Sequence, residues 1–170
     1  PVQGRYGFFV VAIDAQGQER WQWASPSTES LTLAALSTRA GGVVDVASVD
    51  AAGTVRLHTL DAQGGVIAQR SLAGDGGFQA QRVVLDAVGG YALGQVGDGD
   101  TDHRQLRRFT AGTHYLWSRD TPVRCGATLH VPTRECARLT PDGGVLLVGR
   151  GSAMVERWSS DGVRRLYRDF

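Results

Sequence analysis

The residues best suited to chemistry in this chain form an acidic run, Gly97-Asp98-Gly99-Asp100-Thr101-Asp102-His103. Asp98, Asp100 and Asp102 stand at alternate positions, so three carboxylates can converge on a hard cation, and Ca²⁺ is the ion such oxygens select. The run is not an EF-hand. The glycine needed at loop position 6 is His103, and the bidentate glutamate needed at position 12 is Phe109. The loop reads either as a Ca²⁺ site or as a solvated polar turn.

The two cysteines, Cys125 and Cys136, are separated by ten residues that include His130 and Pro132. A disulfide would staple this long connection, contribute about 3 kcal/mol, and imply an oxidising compartment. Two buried thiols, or a metal site shared with His130, are the alternatives, though neither cysteine belongs to a C-x-x-C pair. Nucleophilic catalysis has little support. Gly149-Arg150-Gly151-Ser152 is not a G-x-S-x-G elbow. His58, His103, His114 and His130 are scattered over different segments. No catalytic and no cofactor-binding residue is identified. Two arginine clusters, Arg104/Arg107/Arg108 and Arg164/Arg165/Arg168, alternate in direction along strands and read as solvated faces, not as a polyanion site.

These residues must be positioned by elements that repeat. Four segments share one pattern: FFVVAIDAQGQERWQW (8–23), VRLHTLDAQGGVIAQR (55–70), LRRFTAGTHYLWSR (106–119) and MVERWSSDGVRRLYRD (154–169). Each is an apolar run, a turn ending in glycine, and a second run. The turn glycines Gly17, Gly64, Gly112 and Gly162 lie 47, 48 and 50 residues apart. A second marker, a Gly-Gly followed by an apolar strand, keeps phase with the first at Gly41-Gly42, Gly89-Gly90 and Gly143-Gly144. A period of this size marks a repeat architecture. The reading is an all-β fold, a β-propeller of four-stranded antiparallel blades, with no helix longer than about two turns.

Strand a follows the Gly-Gly, strands b and c flank the single turn glycine, and strand d ends in leucine. Strand a (43–49, 91–96, 145–148) is the most apolar and is expected innermost, with Asp45 and Tyr91 as its axis-lining polar groups. On this reading blade 1 holds strands b–d over about 8–37, blade 2 spans 42–86, blade 3 spans 90–140, and blade 4 holds strands a–c over 144–170. That is about 3.5 to 4 blades of a single segment, expected to be part of a larger propeller or to have its open edges completed by another chain.

Composition agrees. The 170 residues include 23 glycines, as turn-dense β proteins require, and the net charge of +1 gives no electrostatic footprint for nucleic acid. All 18 basic residues are arginine, a bias attributed to a GC-rich genome. No apolar run reaches membrane-spanning length.

The hairpin VVAIDAQGQERWQW resembles the repeats of quinoprotein-like propellers. The stretches LTPDGGVLLVG…VERWSSDG and LDAVGGYALGQVGDGDTD…LRRFTAG resemble secreted bacterial β-propeller repeats. Together the resemblance spans nearly the whole chain. It implies that Trp21 and Trp117 pack between blades, a position the second and fourth copies do not keep. The expected function is a non-enzymatic scaffold or a module binding a protein or carbohydrate ligand, secreted, periplasmic or at the cell surface. The alternatives are a segment of a quinoprotein-like redox enzyme, or a structural subunit of an envelope assembly.

Overall fold

In a computed structural model the described residues are 7–26, 31–72, 75–97, 103–124, 136–149 and 154–169. They form four antiparallel sheets. A hairpin pairs β1 (Phe9–Ile13) with β2 (Glu19–Ala24). A four-stranded sheet follows, β3 (Leu31–Thr38), β4 (Val44–Asp50), β5 (Val55–Leu60) and β6 (Val66–Leu72). The next holds β7 (Phe78–Asp86), β8 (Gly89–Val96), β9 (Arg104–Thr110) and β10 (Tyr115–Asp120). The last holds β11 (Ala137–Leu139), β12 (Val145–Val148), β13 (Met154–Trp158) and β14 (Arg164–Asp169). Within each sheet spatial order follows chain order, as in propeller blades. The helices among the described residues are two three-residue 3₁₀ turns.

The blades are one strand out of phase with the sequence-based boundaries. The leucine-ending strand does not close a blade; it opens the next one. The sheets therefore span 31–72, 78–120 and 137–169, not 42–86, 90–140 and 144–170. The reason is loop length. Asp86 pairs with Gly89 across a two-residue turn, and Leu139 pairs with Val145 across a tight glycine turn. Strands joined by tight turns pair with each other. Longer segments carry the chain between sheets. The last sheet is accordingly four-stranded, and the two-stranded sheet is the first.

The radial order changes with the phase. β3, β7 and β11 form the inner edge, where β7 packs against both β3 and β11. β4, β8 and β12 come second. They are the most apolar because both edges are paired and at least one face is fully covered, as the fully buried Val46, Ala92 and Leu147 show. β6, β10 and β14 are the exposed outer strands.

One turn geometry recurs at the outer hairpins. The first turn residue donates its N–H to the carbonyl four residues on and accepts from the N–H three residues on, as in Asp14/Gln18/Gly17 and Asp61/Gly65/Gly64. An aspartate at the first position also accepts two backbone N–H groups, Gln16 and Gln18 on Asp14 for example. The fourth position needs positive φ, which Gly17, Gly64 and Gly162 supply at 79°, 83° and 80°. In the third copy that position is Thr113, at φ 67°, and not Gly112. The left-handed positions 17, 64, 113 and 162 are then 47, 49 and 49 apart, a more regular period than the glycines show.

Neighbouring blades are clamped at these same turns. The Trp21 Nε1–H donates to the Ala62 carbonyl at 2.9 Å, and its ring covers Gly64. Trp117 repeats the contact one repeat pair later, donating to Ser160 at 2.9 Å and covering Gly162. The second copy has Ala68 at the tryptophan position. There Arg70, two residues on, donates to the Ala111 carbonyl at 3.1 Å. The clamp is thus kept at every blade junction with two kinds of donor. Deeper in the last junction the fully buried Glu156 carboxylate accepts from Thr121 Oγ1 of the preceding blade, Trp158 Nε1 and Arg164.

Candidate functional site

The inner strands do not meet at a point. β3, β7 and β11 wall an open cavity of about 510 Å³. Its lining is Ala35 and Leu36 from β3, residues 82–85 from β7, and residues 136–139 at and beside β11. Eight of the ten lining residues are apolar in type. The other two are Arg82 and Arg138. β7 carries a bulge between Ala80 and Arg82, and such a bulge shifts the inward–outward alternation of the strand.

The chemistry of these two arginines is unlike that of their neighbours. Arg108 is buried against Asp86 at 2.7 Å, and Arg39 is held by Asp45 at 2.7 Å. Among the described residues Arg82 and Arg138 have no hydrogen-bond or ion-pair partner, and no described carboxylate lines the cavity. A guanidinium presents a planar fork of donors that matches a carboxylate or phosphate. Two of them facing one cavity favour an anionic group.

Asp45 and Tyr91, expected at the axis, are not there. They lie on the second strands, and both are committed to structural contacts. Asp45 Oδ1 accepts from Arg39 and from Thr59 Oγ1. The Tyr91 hydroxyl donates to the Gly143 carbonyl of the next blade at 2.6 Å. Burial pushes the Tyr91 phenol above its ordinary value of 10.0, against the opposing pull of Arg108. This phenol is a structural donor that remains protonated.

The arginine clusters are also reassigned in part. Arg107 and Arg108 do not lie on a solvated face. Arg107 sits over Phe78 at 4.2 Å and Tyr115 at 5.0 Å, and Arg108 lies over Tyr91 at 4.6 Å. Aromatic faces and Asp86 offset the loss of water around these cations. Arg165 and Arg168 do lie on an exposed strand.

Asp98, Asp100 and Asp102 fall outside the described residues. Among the described residues no group of three His, Cys, Asp or Glu side chains stands together. Cys136 is buried beside Val123 and Val145, and no free cysteine occurs among the described residues. Cys125 and His130 lie outside them, so no disulfide falls wholly within the described part. No described helix is long and apolar enough to cross a membrane.

No protein-family model matches the chain, and no curated protein matches it. Solved structures do. A protein of unknown function from Bacteroides caccae superposes with a TM-score of 0.58 at 13% identity, over 93% of this chain and 53% of that one. A eukaryotic initiation factor superposes with a TM-score of 0.51 at 11% identity, over 82% of this chain and 32% of that one. This chain therefore spans about half and about a third of the length of these two. At such identities the likeness is one of fold alone: an all-β architecture of repeated four-stranded antiparallel blades.

Proposed function

We propose that this chain is a non-enzymatic propeller module that binds a carboxylate-bearing ligand in its axial cavity. The observation that carries the reading is the pair Arg82 and Arg138, two guanidinium groups without a partner among the described residues, on a wall whose other residues are apolar in type. An acidic peptide side chain and a uronic acid share the carboxylate this pair would recognise, so both a protein and a carbohydrate ligand remain within the reading. Isothermal titration with glutarate and with D-glucuronate distinguishes the two sources. Saturable binding of either, lost in the Arg82→Ala/Arg138→Ala double variant, supports the proposal. No saturable heat with the unaltered protein, or binding unchanged in the double variant, contradicts it.

The proposed setting is secreted, periplasmic or at the cell surface, and a Cys125–Cys136 disulfide belongs to that proposal. Thiol labelling of unreduced, denatured protein tests the bond: two labelled cysteines remove it, and with it the argument for an oxidising compartment.

A further inference from the structure

The axial cavity offers more than two guanidinium groups, because its walls are strand edges. β7 has a neighbouring blade on either side, packing against β3 of the preceding sheet and β11 of the next. Along one edge it bonds to β8, and along the other it pairs with no strand among the described residues. Blades stack through their faces, so a neighbour on each side leaves this edge open to the axis.

The register shows which backbone groups point there. In an antiparallel ladder alternate residues aim their N–H and C=O groups at the partner strand, and the residues between aim them away. Val84 faces β8, since a Cβ added at Gly90 would strike the Val84 carbonyl oxygen. Val83 and Leu85 therefore face the cavity. The far end of the same edge is closed, where the Ala80 N–H beyond the bulge donates to the Gly53 carbonyl at 2.9 Å. On β11 the Cys136 carbonyl accepts from Val148 and the Thr140 N–H donates to Gly144, so Ala137 and Leu139 face away from β12. On β3 the Arg39 N–H donates to Val43, and counting back by twos leaves Leu36 facing away from β4. These five residues all line the cavity. Among the described residues none of them makes a backbone hydrogen bond outside its own ladder.

We infer that the ligand of this cavity is an extended acidic peptide, added as a strand to the inner edge of β7. Its main chain bonds to Val83 and Leu85, and its carboxylates meet Arg82 and Arg138. This rests on the anion-binding reading of the cavity and narrows it. Val83 and Leu85 repeat at the two-residue period of an extended chain, which a peptide matches with its own alternating N–H and C=O groups. A sugar ring has no such period. Charge agrees, because the two guanidinium groups without a partner among the described residues stand on the same wall. Main-chain bonds supply affinity in this mode, and the arginines select the acidic side chains.

Isothermal titration of the chain with end-blocked hexaglutamate, the same peptide N-methylated at alternate residues, trigalacturonate and glutarate separates the possibilities. N-methylation keeps every charge and removes main-chain donors. Hexaglutamate should bind about tenfold more tightly than at least one of its two N-methylated phases, the loss expected for one or two main-chain bonds. Hydrogen exchange of the Val83 and Leu85 amides should slow on adding the peptide and stay unchanged with glutarate. Glutarate binding with both N-methylated phases as tight as the parent peptide, or trigalacturonate binding more tightly than hexaglutamate, overturns strand addition and leaves the anion site standing. Unchanged exchange at Val83 and Leu85 with bound peptide also overturns it. No saturable heat with any of the four ligands overturns the anion site and this inference together.

Discussion

Adding one methyl group at three turns separates backbone strain from the blade clamp. Gly143 and Gly162 occupy the same left-handed turn position, at φ 77° and 80°. Placing alanine there costs about 1–2 kcal/mol from the backbone alone. At Gly143 nothing lies within 4 Å of the new Cβ, so the cost stops there. At Gly162 the Cβ would stand 2.9 Å from Trp117 Cδ2 and 3.0 Å from Cε2. That ring cannot retreat freely, because its Nε1–H is bonded to Ser160 and its plane meets Tyr91 and Trp158. Overpacking of this kind adds about 1–3 kcal/mol. Gly64→Ala should behave like Gly162→Ala, with Trp21 at 2.8 Å. Urea unfolding followed by circular dichroism should rank Gly143→Ala as mild and the other two as severe. In a Trp117→Ala background the cost of Gly162→Ala should fall to that of Gly143→Ala, the coupling a double-mutant cycle measures. Equal costs at Gly143 and Gly162, or no coupling to Trp117, would refute the clamp.

Three further outcomes follow from the same geometry. Thr113→Gly should raise stability by about 0.5–1 kcal/mol, since it removes a β-branched residue from a left-handed position at some cost in chain entropy; a lower urea midpoint would count against the turn assignment. Glu156→Gln should destabilise by about 2 kcal/mol, because it takes the charge from a buried acceptor of three donors; an unchanged midpoint would show that the latch between the last two blades contributes nothing. Hydrogen bonds from Thr140 to Asp142 and from Ser159 to Asp161 hold both exposed carboxyls below the ordinary 3.8. Groups depressed in the folded state add stability that is fully present above the ordinary value and is lost as pH falls through the folded one. Carboxyl NMR titration should therefore find both midpoints below 3.8, and midpoints at or above it would remove these bonds.

The repeat was legible because turn chemistry is local. A glycine at positive φ and an aspartate folding back on its own turn leave marks in a few consecutive residues. Trp21 and Trp117 stood out for the same reason. Blade phase was less legible, because strands a–d form the same cycle wherever it is cut, and hydrophobicity marks the most enclosed strand, not the innermost. Thr113 was hidden by Gly112 beside it. Arg82 and Arg138 carry no signal in sequence: one lies three residues before its strand-ending leucine and the other lies next to it, so no alignment of repeats brings them together. Only the curvature of three sheets around one axis does. Arg107 and Arg108 misled in the opposite sense, since the rings and the carboxylate that bury them come from other strands.

The axial cavity is tested most directly by the arginine Nε–Hε resonances during titration with glutarate and with D-glucuronate. The account predicts that two resonances move and saturate, and that these are the ones missing from Arg82→Lys and Arg138→Lys. Resonances that stay fixed at millimolar ligand, or arginines across the chain shifting together without saturation, would contradict it.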